Sequence, residues 1–322
     1  MSINNYRYYY ACVVFISLVY SYLTNSGFYG FNIDFYKEYS KSNLFWEYSL
    51  RDRLGVGIST LTIFNKHIGV GITSFLLSIS SGFLLISMFQ IKKLNSVFIF
   101  LIIYLMLLHI HPIIMSTSGA MRQGIGMSLI FMSFFFYFNK KKFLSFLFFF
   151  ISIFMHRSLI LFFFIYLFTI FILKFLKYFH INIKILILIF AGFLIFFLNS
   201  LLILFFETNL DSRVIFGDFR LAWLIINLSF IFIFLIYLIK DYLFIIKFEF
   251  VYLYFFSSFA PSFYYMGLNW QYERINMVVS ILYIFFLGLF FNKRSAYIYY
   301  STAILVYLLL TIYQGMFSIG LV

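Results

Sequence analysis

Charged residues are scarce in this 322-residue chain: only 10% of its residues are Asp, Glu, Lys or Arg, whereas 64% are hydrophobic. A soluble domain carries about 25% charged residues, so a water-soluble globule is excluded. Proline is also rare, at two residues, and the apolar runs are continuous and do not alternate with polar residues. Long uninterrupted helices are therefore favoured over the strands of a membrane barrel.

Cysteine and acidic residues are the other scarce types. The single cysteine, Cys12, allows no intramolecular disulfide and no thiolate metal cluster, so we expect no bound metal and no redox cofactor. Only ten acids oppose 23 basic residues, which leaves a formal net charge of +13. A basic balance of this size would indicate a nucleic-acid partner unless another cause accounts for it.

Apolar stretches bounded by charges predict about 11 membrane-spanning helices, with 10 to 12 as the range. They cover residues 8–24, 67–91, 94–115, 119–138, 143–156, 158–173, 185–205, 221–239, 249–268, 275–291 and 296–315. The expected fold class is all-α, a polytopic membrane bundle in which residues 1–322 form a single transmembrane domain. Two polar stretches, 25–66 and 206–220, are expected to be outer loops.

The basic residues segregate by face when the amino terminus is placed in the cytoplasm. Eleven lysines and two arginines then lie in inner segments, opposed there by only two acids. This orientation satisfies the positive-inside rule, which accounts for most of the net positive charge. Nucleic acid is therefore not an expected partner. The rule does not account for seven outer arginines, Arg51, Arg53, Arg122, Arg157, Arg213, Arg220 and Arg274. Because guanidinium groups bind phosphate oxygens bidentately, an outer arginine-lined cavity predicts a phosphorylated, membrane-embedded substrate.

Three of these arginines, Arg122, Arg157 and Arg274, lie at a similar depth. Each is 15 to 19 residues from the nearest inner lysine. That separation is roughly 22 to 28 Å of helix in a hydrocarbon core of about 30 Å, so all three are expected near the outer boundary. Snorkelling to the outer headgroups is the alternative for a single arginine.

A helix is expected to begin just before Arg122 and Gln123, with residues 116–118 (Ser-Thr-Ser) offering capping hydroxyls. The free N–H groups and partial positive charge of such a helix start favour an anion. His109 and His111 are two residues apart and cannot share a helix face, which argues against a metal site there.

The segment 155–158 places an imidazole beside a guanidinium within an apolar stretch. It is either the outer turn of a helical hairpin or a phosphate-binding or proton-transferring site with His156 as general base. Glu273 is the other candidate base, and a structural ion pair with Arg274 is the alternative for it. Two further arginines lie in a loop that is either a solvated connection or a lid over the outer cleft, Arg213 and Arg220.

These features together resemble the EpsG-like and Wzy-like bacterial polysaccharide polymerases. The resemblance rests on Arg122-Gln123 opening a helix, a lysine-rich inner turn, Met-His-x-Ser-Leu-Ile at 155–160 and an arginine at 274. Asp34 and Tyr36 in the first outer loop also fit.

The resemblance implies an enzyme of the bacterial cytoplasmic membrane that joins oligosaccharide repeats at the outer face, with undecaprenyl pyrophosphate as leaving group. The implied partners are the lipid-linked oligosaccharide, membrane lipids, a chain-length regulator and a flippase. The candidate catalytic residues are His156 and Glu273, and the candidate substrate-binding residues are Arg122, Gln123, Arg157, Arg274, Asp34, Arg213 and Arg220.

Two other functional classes remain open. A flippase or other transporter would place charges or broken helices near the bilayer midplane, and Pro261 is the one candidate break that the sequence offers. A membrane O-acyltransferase would use a reactive histidine, for which His156 would serve.

Overall fold

The computed structural model describes residues 6–25, 66–94, 96–118, 121–155, 158–176, 178–180, 183–184 and 186–194, together with residues 278 and 305. This part of the chain is helical and contains no strand, so the all-α expectation is confirmed for it. The predicted outer loop 206–220 lies outside the described residues. Residues 26–65, which make up nearly all of the predicted outer loop 25–66, also lie outside them. The number of spans and the single transmembrane domain stay predictions.

Seven helices are defined, α1 (Arg7–Asn25), α2 (Lys66–Lys92), α3 (Val97–Leu108), α4 (His111–Ser118), α5 (Met121–Phe138), α6 (Lys142–Met155) and α7 (Ser158–Leu176). Packing divides the chain into two compact units, the first comprising Met1–Leu159 with Leu287–Val322 and the second Ile160–Phe286. The first unit contains α1 to α6, and the second contains nearly all of α7 and a helical stretch at 186–194. Within the described residues, one stretch, Gly71–Ile91, is long and apolar enough to cross a membrane.

Helix α1 packs antiparallel against α2 through small and hydroxyl side chains. The Ser21 hydroxyl donates to the Gly71 carbonyl at 2.6 Å, and the Thr24 hydroxyl donates to Ser74 Oγ at 2.7 Å. Further along the pair, a Cβ at Gly82 would lie only 2.5 Å from a Val13 methyl group. Glycine therefore allows the two helices to approach closely at this crossing.

A buried tyrosine ties α1, α2 and α3 together. The Tyr104 hydroxyl donates to the Ser78 carbonyl at 2.9 Å and lies 3.0 Å from Ser17 Oγ. Because this hydroxyl has one proton, already donated to Ser78, Ser17 must be the donor in the second bond. All three residues are buried, so the network satisfies polar groups that water does not reach.

The predicted continuous span at 94–115 is wrong, because the structure breaks it at His109 and Ile110 into α3 and α4. Pro112 explains the break: it has no N–H to donate to the Leu108 carbonyl, and in a continuous helix its ring would clash with that carbonyl. The Tyr20 hydroxyl of α1 donates to that carbonyl instead, at 3.2 Å. His109 and His111 therefore do not share one continuous helix, and helical spacing does not fix their relative orientation.

Helices α2 and α5 end in the same way. Leu94 N–H donates to the Phe89 carbonyl and Lys141 N–H to the Phe136 carbonyl, the six-to-one bond of a Schellman motif. The residues that turn the chain, Lys93 and Lys140, have φ of 53° and 62°. This left-handed conformation costs a residue other than glycine about 1 kcal/mol.

These helix ends define a basic end of the first unit. Helices α2 and α5 lie side by side in parallel, since Asn139 Nδ2 donates to Ser87 Oγ at 3.3 Å near their carboxyl ends. The Tyr6 hydroxyl just before α1 donates to the Leu94 carbonyl, which brings the start of α1 to the same end. This end carries the exposed residues Arg7, Lys93, Lys140, Lys141 and Lys142. The ends of α1 and α6 and the start of α5 lie at the opposite end.

Candidate functional site

The start of α5 is the part of the predicted site that the structure describes. Arg122 and Gln123 are the second and third residues of this helix, as expected from the sequence. The first four N–H groups of a helix have no acceptor within it, and together they carry about half a positive charge. The Gln123 side chain is fully buried in the first unit, so its amide belongs to the packed interior beside these N–H groups.

Helix α4 packs closely against the first turn of α5. A Cβ at Gly124 would collide with the Ser116 carbonyl oxygen and would lie 2.9 Å from Thr73 Cγ2 of α2. The Ser116 hydroxyl donates to Met127 Sδ at 3.3 Å, which adds a second contact between α4 and α5. Glycine at 124 therefore lets three helices meet at the start of α5.

The expectation that residues 116–118 cap α5 is wrong for two of the three. All three residues lie within α4; the Ser116 hydroxyl donates to Met127 Sδ, and the Thr117 hydroxyl donates to the Ile114 carbonyl of its own helix at 2.7 Å. The cause is again the break before Pro112, which starts a new short helix where the sequence indicated a capping loop.

The described residues that flank the connection between α6 and α7 lie beside the same helix start. A Cβ at Gly126 would meet Leu159 Cδ1, and it would lie 3.5 Å from Met155 Cβ and 3.6 Å from the Ser152 carbonyl oxygen. Met155 and Leu159 are close neighbours, on either side, of the pair His156 and Arg157, which lies outside the described residues. Gly126 is four residues, or about one turn, after Arg122. The structure thus brings the described neighbours of the His-Arg pair to the helix start that bears Arg122 and Gln123.

The remaining predicted site residues lie outside the described residues, and their placement stays a prediction: Asp34, Arg213, Arg220, Glu273 and Arg274. The described part of the chain contains no aspartate or glutamate, so it offers no carboxylate to neutralise an arginine at this end. It also contains no group of three or more His, Cys, Asp or Glu side chains that could hold a metal ion.

Sequence reasoning missed α4 and Thr73 as parts of this site. Thr73 is fully buried and reaches Gly124 from α2, 51 positions away in the chain. Pro112 is the signal that could have identified α4, since a proline inside an apolar run usually starts or breaks a helix. No comparable local signal exists for Thr73, because its role depends on a contact distant in sequence.

No family model, curated protein or solved structure matches this chain. The resemblance to the polysaccharide polymerases therefore rests on the residues quoted above.

Proposed function

We propose that this chain is a multi-pass protein of the bacterial cytoplasmic membrane, with about 11 spans and a cytoplasmic amino terminus. The first unit supports a membrane setting because large apolar side chains lie on its surface while several hydroxyl side chains are buried in its interior. Phe15, Phe98 and Phe143 are each more than two-thirds exposed, whereas the hydroxyl residues Ser78 and Ser81 of α2 are fully buried. Hydrocarbon favours this distribution and water opposes it.

Within that membrane, the chain acts as a polysaccharide polymerase that joins oligosaccharide repeats carried on undecaprenyl pyrophosphate. One observation carries this proposal: the start of α5, with Arg122 and Gln123, packs beside the flanks of the His156-Arg157 pair through Gly126. These are the residues on which the resemblance to the EpsG-like and Wzy-like polymerases is most specific. The start of α5 also lies at the end of the unit opposite the exposed lysines, which is the outer end in the proposed topology.

The proposed reaction transfers a glycan from one lipid carrier to another. A hydroxyl of the acceptor sugar attacks the anomeric carbon of the donor glycan, and the bond between that carbon and the pyrophosphate oxygen breaks. His156 or Glu273 takes the hydroxyl proton as general base. Undecaprenyl pyrophosphate leaves with the bonding electrons, and Arg122, Arg157 and Arg274 stabilise its developing charge. The proposed transfer requires no nucleotide and no metal ion.

The test is an arginine series expressed in a host strain that lacks its own polymerase but has the matching repeat-unit pathway. Arg122→Ala and Arg274→Ala should abolish long-chain surface polysaccharide, because the leaving group loses its cations. Arg122→Lys should retain only part of the activity, since an ammonium group cannot make the bidentate contact. Polysaccharide length is measured on gels, and membrane content of the protein by immunoblot.

Arg7→Ala is the matched control, because Arg7 lies at the basic end of the first unit, away from the start of α5. It should leave the length ladder unchanged. Normal ladders in both Arg122→Ala and Arg274→Ala, with protein present in the membrane, would refute the proposed roles.

The break between α3 and α4 favours a second candidate, a lipid-linked oligosaccharide flippase. Transporters commonly build their substrate sites on discontinuous helices, and this break lies after 12 residues of α3, roughly 18 Å along the helix from its start. Deletion of the gene separates the two candidates. Single repeat units should reach the cell surface if the chain is a polymerase and should accumulate inside the cell if it is a flippase.

A further inference from the structure

The basic end of the first unit carries lysines that the proposed reaction does not use. Lys140, Lys141 and Lys142 are consecutive and exposed; the first two connect α5 to α6, the third begins α6, and Lys93 is exposed where α2 ends. Two of the four, Lys93 and Lys140, occupy left-handed backbone positions that glycine or asparagine normally fill. Lysine therefore occupies these two positions despite the backbone preference. The described residues supply no carboxylate to pair with these ammonium groups.

An aromatic stripe starts next to these lysines and follows α6. Its members are Phe143, Phe146, Phe150 and Phe154, all exposed. Their spacing of three or four residues places them on one face of the helix. Phe146 and Phe150 are stacked with ring centroids 6.2 Å apart, and Phe150 and Phe154 meet edge to face at 5.2 Å.

The opposite face of α6 is occupied by α5. Ser145, Phe149 and Ser152 are the buried residues of α6, and the Ser133 hydroxyl of α5 donates to the Ser145 carbonyl at 2.7 Å. The aromatic stripe therefore lies on the face of α6 that points away from α5.

The length of the stripe matches one leaflet of a bilayer. From Phe143 to Phe154 the helix rises about 16 Å, which is half of a hydrocarbon core of about 30 Å. A cationic end that continues into an apolar stripe of this length complements an amphiphile with an anionic head and acyl chains. An acidic peptide would match the lysines and leave the stripe uncovered.

We propose that Lys140, Lys141 and Lys142, together with the aromatic stripe, bind an anionic phospholipid of the leaflet at the basic end; this rests on the membrane placement proposed above and is independent of the polymerase chemistry. The ammonium groups hold the lipid phosphate, and an acyl chain lies along the four phenylalanine rings. Lys93 adds charge to the same end.

The test is native mass spectrometry of the full-length protein in detergent, titrated with phosphatidylglycerol or with phosphatidylcholine of the same acyl chains. Phosphatidylglycerol should bind more tightly than phosphatidylcholine. Lys141→Gln should weaken phosphatidylglycerol binding about fivefold, and the double variant with Lys142→Gln roughly 25-fold, at the usual contribution of one basic residue near an anionic surface. Lys141→Arg keeps the charge and should bind as the unaltered protein does.

Matched controls come from α7. Lys174→Gln removes an exposed lysine there and should leave the affinity unchanged. Phe146→Ala should weaken binding, whereas Phe164→Ala should not, although both side chains are 47% exposed. Glycerol phosphate, added as a competitor without acyl chains, should displace little lipid.

Several outcomes would overturn the proposal. They are equal affinity for the two lipids, equal effects of Lys141→Gln and Lys174→Gln, equal effects of Phe146→Ala and Phe164→Ala, or displacement of the lipid by glycerol phosphate alone, which would indicate a free-phosphate site. The readout does not involve polysaccharide, so failure here is distinguishable from failure of the arginine series.

Discussion

Replacing Gly124 by alanine tests whether α4, α2 and α5 meet as tightly as the structure shows. The new Cβ would collide with the Ser116 carbonyl oxygen, and it would lie 3.0 Å from the carbonyl carbon and 2.9 Å from Thr73 Cγ2. Because the main obstacle is backbone, it can yield only if α4 as a whole moves away from α5. Forcing an extra methyl group into a packed interior typically costs about 1 to 3 kcal/mol.

Gly126→Ala is the matched control, since it makes the same change two positions further along α5. Its main obstacle is Leu159 Cδ1, the far end of a flexible side chain, and the other neighbours are at 3.5 Å or more. A rotamer adjustment of Leu159 costs about 0.5 to 1.5 kcal/mol, and alanine returns up to about 1 kcal/mol of helix propensity in either variant. Gly126→Ala should therefore be nearly neutral, and Gly124→Ala should be less stable than the unaltered protein by up to roughly 2 kcal/mol.

The free energy of unfolding is measured by titrating each purified variant with denaturant and following helical circular dichroism. Equal stability of Gly124→Ala and Gly126→Ala would refute the close backbone approach of α4 to α5. Thr73→Ser, added to Gly124→Ala, removes the nearby methyl group but leaves the Ser116 carbonyl in place. Full restoration of stability by this second change would show that Thr73, and not the backbone of α4, was the obstacle.

Two further predictions concern a hydrogen bond and a helix end. Tyr20→Phe removes the donor to the Leu108 carbonyl and should cost about 1 kcal/mol of unfolding free energy, whereas Tyr22→Phe, at a side chain 73% exposed, should cost nothing measurable. Equal stability of the two variants in the same titration would argue against a structural role for this bond. Lys140→Gly should be more stable than Lys140→Ala by about 0.5 to 1 kcal/mol, because both remove the charge but only glycine is unstrained at a φ of 62°. A more stable alanine variant would contradict the left-handed helix end.

Much of the first unit's secondary structure could be predicted from the sequence. The predicted stretches 8–24, 67–91 and 143–156 differ by one residue at each end from α1, α2 and α6. These boundaries follow from local causes, since apolar runs form helices in a membrane and lysines or polar residues stop them. The break before Pro112 was also local, and it was missed because the apolar run continues across it.

The candidate site could be predicted only in part. The place of Arg122 and Gln123 on the first turn of α5 followed from the sequence, because a helix start is a local property. Their proximity to the flanks of His156 and Arg157 did not follow, since it depends on glycine at 126 allowing Met155 and Leu159 to approach α5. The proposed roles of these residues, and of those outside the described residues, stay predictions.

The sequence by itself determined the helical class, the main helix boundaries and the separation of lysines from arginines along the chain, because hydrophobicity and charge act over a few neighbouring residues. Tertiary structure alone decided which buried hydroxyl groups are satisfied, as in the contacts of Tyr104 with Ser17 and Ser78. It also decided where a close helix contact favours glycine, as at Gly124 beside the Ser116 carbonyl. Both depend on atoms brought together from distant parts of the chain, and pairwise packing of that kind leaves no periodic trace in the sequence.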